Sequence, residues 1–183
     1  MDVDLRPQLN GTKPLATNRL NLRPFKRRDA GAVVSWSHDE NVLRYLITPI
    51  TDETGAEVEI AAWRVQYNNP TFMHWCIAEA DNDNCIGFID ATPDEHLSAA
   101  EISYAISPEK RGMGYASEAL DEVIRYLHEE CHIHRISAEV NTENISSTCV
   151  VEKSGMELEG ILRDALANRN GEFYDVAVFS HLA

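Results

Sequence analysis

The chain has 183 residues, a length that fits one compact domain better than two, and we predict a polar N-terminal tail over residues 1–15 followed by a single domain over residues 16–183. Its formal net charge of −14, from 16 basic and 30 acidic side chains, argues against stable nucleic-acid binding, because proteins that bind the phosphate backbone carry a concentrated basic face. No apolar run is long enough to cross a bilayer, and residues 1–13 lack the regions of a secretory signal, so we predict a cytoplasmic protein without membrane association.

The first third of the chain predicts one strand and several helices. Apolar and polar residues alternate over 17–24, as in a half-exposed strand. Short helices are predicted over 26–36 and 41–46 from their apolar spacing. A longer helix is predicted to open with a capping box formed by Thr54 and Glu57. This part of the chain is therefore predicted to be mainly helical.

After residue 70 the apolar period changes to two, which indicates strands. The polar turn over 81–84 joins two of them into a hairpin, and a third strand extends it into an antiparallel meander. A helix with a strongly apolar face follows the meander. The predicted strands of the meander cover residues 71–80, 85–92 and 99–106, and the later elements are a helix over 116–131, a strand over 135–140, a short helix over 146–153 and strands over 156–163 and 173–182.

The order of these elements predicts the fold class. A strand, a turn, a helix and a second strand form a crossover unit, so the strands that begin at Ala99 and Arg135 should be parallel neighbours. The other strands follow one another as in hairpins. We therefore predict an α/β (α+β) protein with a mixed, mostly antiparallel, twisted sheet of about seven strands, a central parallel pair and about four flanking helices.

The most informative segment is the turn from Arg111 to Ala116, which lies between an apolar strand and an amphipathic helix. A glycine-containing turn at the start of a helix directs several unpaired N–H groups and the positive end of the helix dipole at one point, where an anion binds. Gly112 and Gly114 permit backbone angles that other residues avoid and leave space for a phosphate. We expect the polar loop 141–147 to face this turn across a cleft at the carboxyl ends of the parallel strands.

The run from Arg111 to Ala116 resembles the acyl-CoA pyrophosphate motif of the GNAT superfamily of N-acetyltransferases. Segments 19–24, 141–156 and 170–175 are similar to the Rim-type ribosomal-protein N-acetyltransferases within that superfamily. The resemblance covers nearly the whole chain after the first dozen residues. It implies the GNAT fold, acetyl-CoA as co-substrate, no metal, and transfer of an acetyl group to a primary amine within a ternary complex.

The resemblance also implies which residues hold acetyl-CoA. Backbone amides of the glycine turn would hold the pyrophosphate, and the pantetheine arm would lie along the end of the strand 99–106. The polar loop would hold that arm from across the cleft. The predicted cofactor-binding residues are Ile106, Ser107, Arg111, Gly112, Met113, Gly114, Tyr115, Ala116, Asn141 and Asn144.

Aminolysis of a thioester needs placement of a neutral amine, polarisation of the carbonyl and one proton acceptor. Glu101 and Glu139, on neighbouring strands near the cleft, are the candidate bases; either is also compatible with a solvated or ion-paired carboxylate. The family often places a tyrosine acid where this chain has Val151. Ser147 is the remaining candidate for protonating the thiolate, although a hydroxyl at a helix start also caps backbone N–H groups.

The acceptor is open to two interpretations. The resemblance indicates a protein N-terminal amine, but relatives with this layout also acetylate polyamines, amino acids, amino sugars and antibiotics. Carboxylates over residues 39–59, among them Asp39, Glu40, Asp52 and Glu53, suit a cationic acceptor, and solvated helix faces account for them equally well.

Other functions compete with catalysis. A non-catalytic acyl-CoA-binding module on the same fold remains open. A dinucleotide-binding enzyme is disfavoured, because the turn follows an antiparallel meander and because Ser117 replaces the third small residue, glycine or alanine, of the dinucleotide-binding motif. The cluster Cys131-His132-Ile133-His134 lacks the spacing of a zinc site and has no second cluster to complete it. Dimerisation through the last strands is left open.

Overall fold

The computed structural model describes residues 9–38, 50, 52–94, 96, 98–168 and 170–183. Within these residues, eight strands form one sheet and four α-helices flank it. The strands are β1 (Leu15–Ala16), β2 (Leu20–Arg23), β3 (Met73–Glu79), β4 (Cys85–Pro93), β5 (Ala99–Ile106), β6 (Arg135–Asn141), β7 (Glu157–Ala167) and β8 (Phe173–Leu182). The helices are α1 (Ala30–Ser37), α2 (Glu53–Gln66), α3 (Tyr115–Glu129) and α4 (Ile145–Lys153).

The strand order is β1-β2-β3-β4-β5-β6-β8-β7, and every neighbouring pair is antiparallel except β5 and β6. The predicted parallel pair and the mixed sheet are thereby confirmed. The sheet contains eight strands rather than about seven, since β1 has only two residues and so short a strand shows no alternation in the sequence.

The parallel pair is joined only at its beginning. Ala99, Ala100 and Glu101 pair with the first three residues of β6. Beyond Glu101 the rest of β5 pairs with β4 alone, while β6 continues beside β8. The two strands therefore separate towards their carboxyl ends, and the side of β5 that faces β6 is left open from residue 102 onward.

Each face of the sheet has its own apolar core. The periodic residues of α3 pack with the buried side chains of the central strands on one face, and α1 and α2 cover β2, β3 and β4 on the other. The first core includes Trp75, Ile77, Ile102, Leu120, Val123, Ile124 and Leu127, and the second includes Phe25, Val33, Trp36, Ile60 and Cys76. This second core reaches β5 at Ala105, whereas Glu101 and Glu139 on the same face keep contact with solvent.

The predicted capping box is wrong. Helix α2 begins at Glu53, and its N-cap is Asp52, whose Oδ1 accepts a hydrogen bond of 2.7 Å from the N–H of Gly55. An aspartate carboxylate both accepts from an N–H group at the helix start and interacts favourably with the helix dipole. Asp52 is therefore the N-cap, two residues before Thr54. The spacing of Thr54 and Glu57 in the sequence does not distinguish a helix capped by Thr54 from one capped by Asp52.

The helix predicted over 26–36 is divided into a 3₁₀ turn, Arg27–Asp29, and α1. The predicted helix over 41–46 and the carboxylates of Asp39 and Glu40 lie outside the described residues. No helix in the described ranges combines the length and apolar character that a membrane span requires.

Candidate active site

The open side of β5 leads to a buried hydroxyl. Ile106 ends β5 and is buried, and Ser107 follows it with its N–H donating to the carbonyl of Ile86 at 2.8 Å. The Ser107 hydroxyl lies buried without a hydrogen-bond partner in the part of the chain that the structure describes. A buried polar group of this kind is costly unless a ligand or water satisfies it, so this end of β5 has the character of a binding surface.

The glycine turn connects β5 to α3. Gly112 and Gly114 have φ angles of +73° and +80°, and Gly114 is the N-cap of α3. A Cβ added at Gly112 would have no atom within 4 Å, so the turn faces open space there. The turn therefore places the N–H groups of a helix start beside open space at Gly112, as an anion site requires.

The other predicted residues of the turn have mixed environments. The Arg111 Nε donates to the carbonyl of Ile106 at 3.0 Å, which ties the turn back to β5. The Met113 side chain is 53% exposed. Tyr115 is the first residue of α3 and its hydroxyl lies 3.4 Å from the Glu79 carboxylate, while Ala116 packs at the edge of the core.

The polar loop 141–147 follows β6, and it lies across the gap that opens between β5 and β6 beyond Glu101. Asn141 is buried and its Oδ1 accepts from the N–H of Glu143 at 2.8 Å. Asn144 is the N-cap of α4, and its Oδ1 accepts from the N–H of Ser147 at 3.1 Å. In both asparagines the amide oxygen is occupied, and within the described ranges the amide N–H₂ is left to donate to a ligand.

Ser147 has a partner that sequence reasoning missed. The hydroxyls of Tyr104 and Ser147 lie 2.8 Å apart. Burial raises the pKa of Tyr104 to about 12, against the opposing effect of its hydrogen bond to Ser147, so the phenol stays protonated at neutral pH. Tyr104 follows Glu101 on β5 by three residues and therefore points to the opposite face. Only the tertiary fold brings this strand residue to the start of α4.

The two candidate bases share the face of the sheet opposite to Tyr104. Glu101 is paired with Ser137, two residues before Glu139, so the two carboxylates are diagonal neighbours. Partial burial raises the pKa of Glu101, and the negative charges of Glu139 and Asp90 raise it further. Asp90, on β4, accepts a 2.6 Å hydrogen bond from Ser103. Glu101 thus stands at the point where β5 and β6 separate, with an increased affinity for a proton.

The predicted site residues therefore gather around one gap. Its walls are the open side of β5 and the polar loop, one end is the glycine turn, and the carboxylates lie on the face towards α1 and α2. The described residues contain no group of three or more His, Cys, Asp or Glu side chains placed to hold a metal ion. The arrangement suits an elongated ligand that carries phosphate at one end and a reactive group near Glu101.

The family is decided by comparison with known proteins. A model of the acetyltransferase (GNAT) domain matches residues 19–157. The chain belongs to the GNAT acetyltransferase family. It is 33% identical over 169 residues to the uncharacterised N-acetyltransferase YoaA of Bacillus subtilis (strain 168), and the match covers 91% of this chain and 94% of YoaA.

Two further proteins extend the comparison. The ribosomal protein uS5-alanine N-acetyltransferase of Escherichia coli (strain K12) is 26% identical over 159 residues, which cover 83% of this chain and 82% of that protein. The solved structure of RimL, the ribosomal L7/L12 α-N-protein acetyltransferase, in complex with coenzyme A has a TM-score of 0.79 at 16% identity, covering 93% of this chain and 98% of the other. At that identity, RimL shows a shared fold.

The chain is an acetyl-CoA-dependent N-acetyltransferase. Its residues fit the co-substrate, because the gap offers an unpartnered hydroxyl at Ser107, open space beside Gly112 and donor groups on Asn144. A GNAT domain with a mixed sheet and a central parallel pair is the fold that the sequence predicted.

Proposed function

We propose that this N-acetyltransferase acetylates a protein N-terminal amine by direct attack within a ternary complex, with Glu101 as the general base. The position of Glu101, where the parallel strands separate, carries the catalytic part of the proposal. The choice of acceptor is supported by the 26% identity to the ribosomal protein uS5-alanine N-acetyltransferase of Escherichia coli (strain K12). That match covers 83% of this chain.

Acetyl-CoA supplies an activated thioester when it is bound. The amides of the turn from Gly112 to Ala116 would hold the pyrophosphate, as a helix start with positive-φ glycines favours. The open side of β5 has backbone groups that can pair with an extended amide-rich chain, as an added strand does. Ser107 and the side-chain amide of Asn144 would donate to that chain from opposite walls.

Glu101 would accept the proton of the attacking amine. Its pKa is raised, first by partial burial and then by the charges of Glu139 and Asp90, and a base whose pKa approaches the working pH accepts a proton in the transition state more effectively. Glu139 would then act on Glu101 through its charge. Glu101 is preferred to Glu139 as the base because Glu101 lies where β5 and β6 separate.

Ser147 would donate a proton to the departing thiolate, with Tyr104 holding the hydroxyl in place. The 2.8 Å contact between these two hydroxyls supports the assignment. If Tyr104 donates to the Ser147 oxygen, the Ser147 proton is free to point into the gap. Val151, which stands where many relatives have a tyrosine, is fully buried on α4 and contributes packing.

The roles of the carboxylates are tested by Glu101→Gln and Glu139→Gln, assayed by release of free CoA thiol. Loss of a general base lowers kcat by about 10²- to 10⁴-fold, so Glu101→Gln should fall in this range while its affinity for CoA stays unchanged. Glu139→Gln is the matched control and should retain most of kcat. Equal losses in both variants, or full activity of Glu101→Gln, would contradict the assignment.

The acceptor is tested with a panel of N-terminal peptides, polyamines and amino sugars. A small cationic amine is the second candidate, because Asp90, Glu101 and Glu139 give the acceptor face three carboxylates and the chain has a net charge of −14. Higher kcat/KM for a polyamine than for every peptide would favour it. Tight binding of acetyl-CoA without turnover of any amine would instead favour the non-catalytic module.

Three further predictions concern the whole chain. We propose a cytoplasmic location and a single catalytic domain over residues 16–183. Homodimerisation through the last strands stays a prediction; apolar side chains on β7 and β8 that are at least half exposed support it, and light scattering after gel filtration tests it. These side chains are Leu158, Ile161, Leu162, Phe173 and Leu182.

A further inference from the structure

The glycine turn is contacted by the side chain of Arg19, the residue before β2. The Arg19 Nη1 donates to the backbone carbonyl of Met113 at 3.0 Å. Its Nε donates to the Glu118 carboxylate at 2.6 Å, and its guanidinium carbon lies 4.6 Å from the centre of the Tyr115 ring. One side chain thus contacts the turn, the first residue of α3 and an acidic residue one turn into the helix.

The contact with Met113 determines which way a peptide group faces. The Met113 carbonyl and the Gly114 N–H belong to one planar trans peptide, in which the two groups point in opposite directions. With the carbonyl directed at Arg19, the Gly114 N–H is directed away from the guanidinium and is left to donate to the proposed pyrophosphate. A peptide beside a positive-φ glycine has little steric resistance to rotation, so the turn needs an outside contact to keep this orientation.

Arg19 also controls the charge of Glu118. The carboxylate is held by the Thr17 hydroxyl at 2.6 Å and by the Arg19 backbone N–H at 2.9 Å, in addition to the guanidinium. Partial burial opposes ionisation, but these hydrogen bonds lower the pKa of Glu118, so it stays charged. An unpaired carboxylate in the first turns of α3 would compete with a phosphate for the positive helix end; the ion pair removes that competition.

We propose that Arg19 is a positioning residue for acetyl-CoA binding, which acts by fixing the Met113 peptide and neutralising Glu118 so that the glycine turn faces the pyrophosphate with donors only. The proposal rests on the proposed placement of the pyrophosphate in this turn. It assigns to Arg19 no contact with the reacting atoms.

The test is Arg19→Gln, with Arg125→Gln as the matched control. Arg125 lies on the same helix and is paired with Glu122, Glu129 and Glu130, so its variant loses a comparable ion-pair network away from the turn. Thermal unfolding of both variants verifies the fold. Calorimetry with CoA and steady-state kinetics with acetyl-CoA and S-acetylpantetheine, which lacks the pyrophosphate, provide the readouts.

Loss of a charge-assisted hydrogen bond corresponds to about a tenfold to hundredfold change in affinity. We expect Arg19→Gln to raise the Kd for CoA and the KM for acetyl-CoA by this factor, with kcat and the KM for S-acetylpantetheine unchanged. Arg19→Lys retains the charge and should recover part of the loss. Arg125→Gln should bind CoA as the wild type does.

The proposal is overturned by an unchanged Kd for CoA in Arg19→Gln or by an equal loss of CoA affinity in Arg125→Gln. A loss of S-acetylpantetheine activity as large as the loss of acetyl-CoA activity also overturns it, since the effect would then be general. A different result would show that the pyrophosphate does not bind in the glycine turn at all. In that case the wild-type enzyme would use S-acetylpantetheine as efficiently as acetyl-CoA, whatever the behaviour of the Arg19 variants.

Discussion

Substitution of Gly87 by alanine should disturb the wall of the acetyl-CoA gap directly. Gly87 lies on β4 opposite Ile106, the last residue of β5. An added Cβ would lie 2.1 Å from the carbonyl oxygen of Ala105 and 3.1 Å from the Cα of Ile106, whereas ordinary contact begins at 3.4 Å. The overlap involves backbone atoms, which no side-chain rotation relieves, so β5 must move away from β4 by about 1 Å.

The cost of this movement is set by packing. Over-packing a well-filled site typically costs about 1–3 kcal/mol, and a collision with backbone falls at the upper end, so we expect Gly87→Ala to lower the free energy of unfolding by about 3 kcal/mol. Because the carbonyl of Ile106 also anchors Arg111, the movement should reach the glycine turn. The KM for acetyl-CoA is therefore expected to rise.

Urea unfolding followed by tryptophan fluorescence measures the stability change, provided that the m-value is unaltered. Gly160→Ala is the matched control, since Gly160 also lies in a strand and an added Cβ there has no atom within 4 Å. Its effect should stay within about 0.5 kcal/mol. Equal midpoints for the two variants would refute the close approach of β4 and β5 on which the reasoning depends.

Three other predictions follow from the charges and caps. Burial raises the pKa of Glu101 most and Asp90 adds to it, so Asp90→Asn should move the acidic limb of the kcat/KM profile to lower pH. Asp52→Ala should cost about 1 kcal/mol of unfolding free energy as the loss of an N-cap, with Thr54→Ala nearly neutral in the same urea titration. Partial burial opposes the shift, but neighbouring cations lower the pKa of Asp83 to about 2. Its contribution to stability is therefore present above pH ~4 and lost as the pH falls towards 2. Asp83→Asn should make the free energy of unfolding depend less steeply on pH over that interval.

Local pattern was sufficient for most elements of the fold. The apolar period of α3, the alternation in β3, β4 and β5 and the turn between the first two of these strands depend on neighbouring residues alone, and the predicted strand over 99–106 agrees with β5 at both ends. The parallel pairing of β5 and β6 followed from chain order, because a crossover with a helix has one favoured hand. The glycine turn was recognisable because positive φ and a helix start are local properties.

Contacts between distant residues decided the rest. The separation of β5 from β6 after Glu101 and the pairing of Tyr104 with Ser147 depend on how the elements pack. The raised pKa of Glu101 needs a charge from β4 and one from β6. The spacing of residues within one segment does not predict contacts of this kind between different segments.

The glycine turn separates the two kinds of information. By itself the sequence determined that a glycine turn leads into a helix here, and it predicted an anion site there from the backbone angles and donors that Gly112, Gly114 and the helix supply. The tertiary structure alone decided that the turn is oriented by Arg19, which is about a hundred residues away in the chain and reaches Met113 only because β2 lies beside the start of α3. Backbone conformation is a local preference, whereas the direction of a peptide group is determined by the groups that surround it.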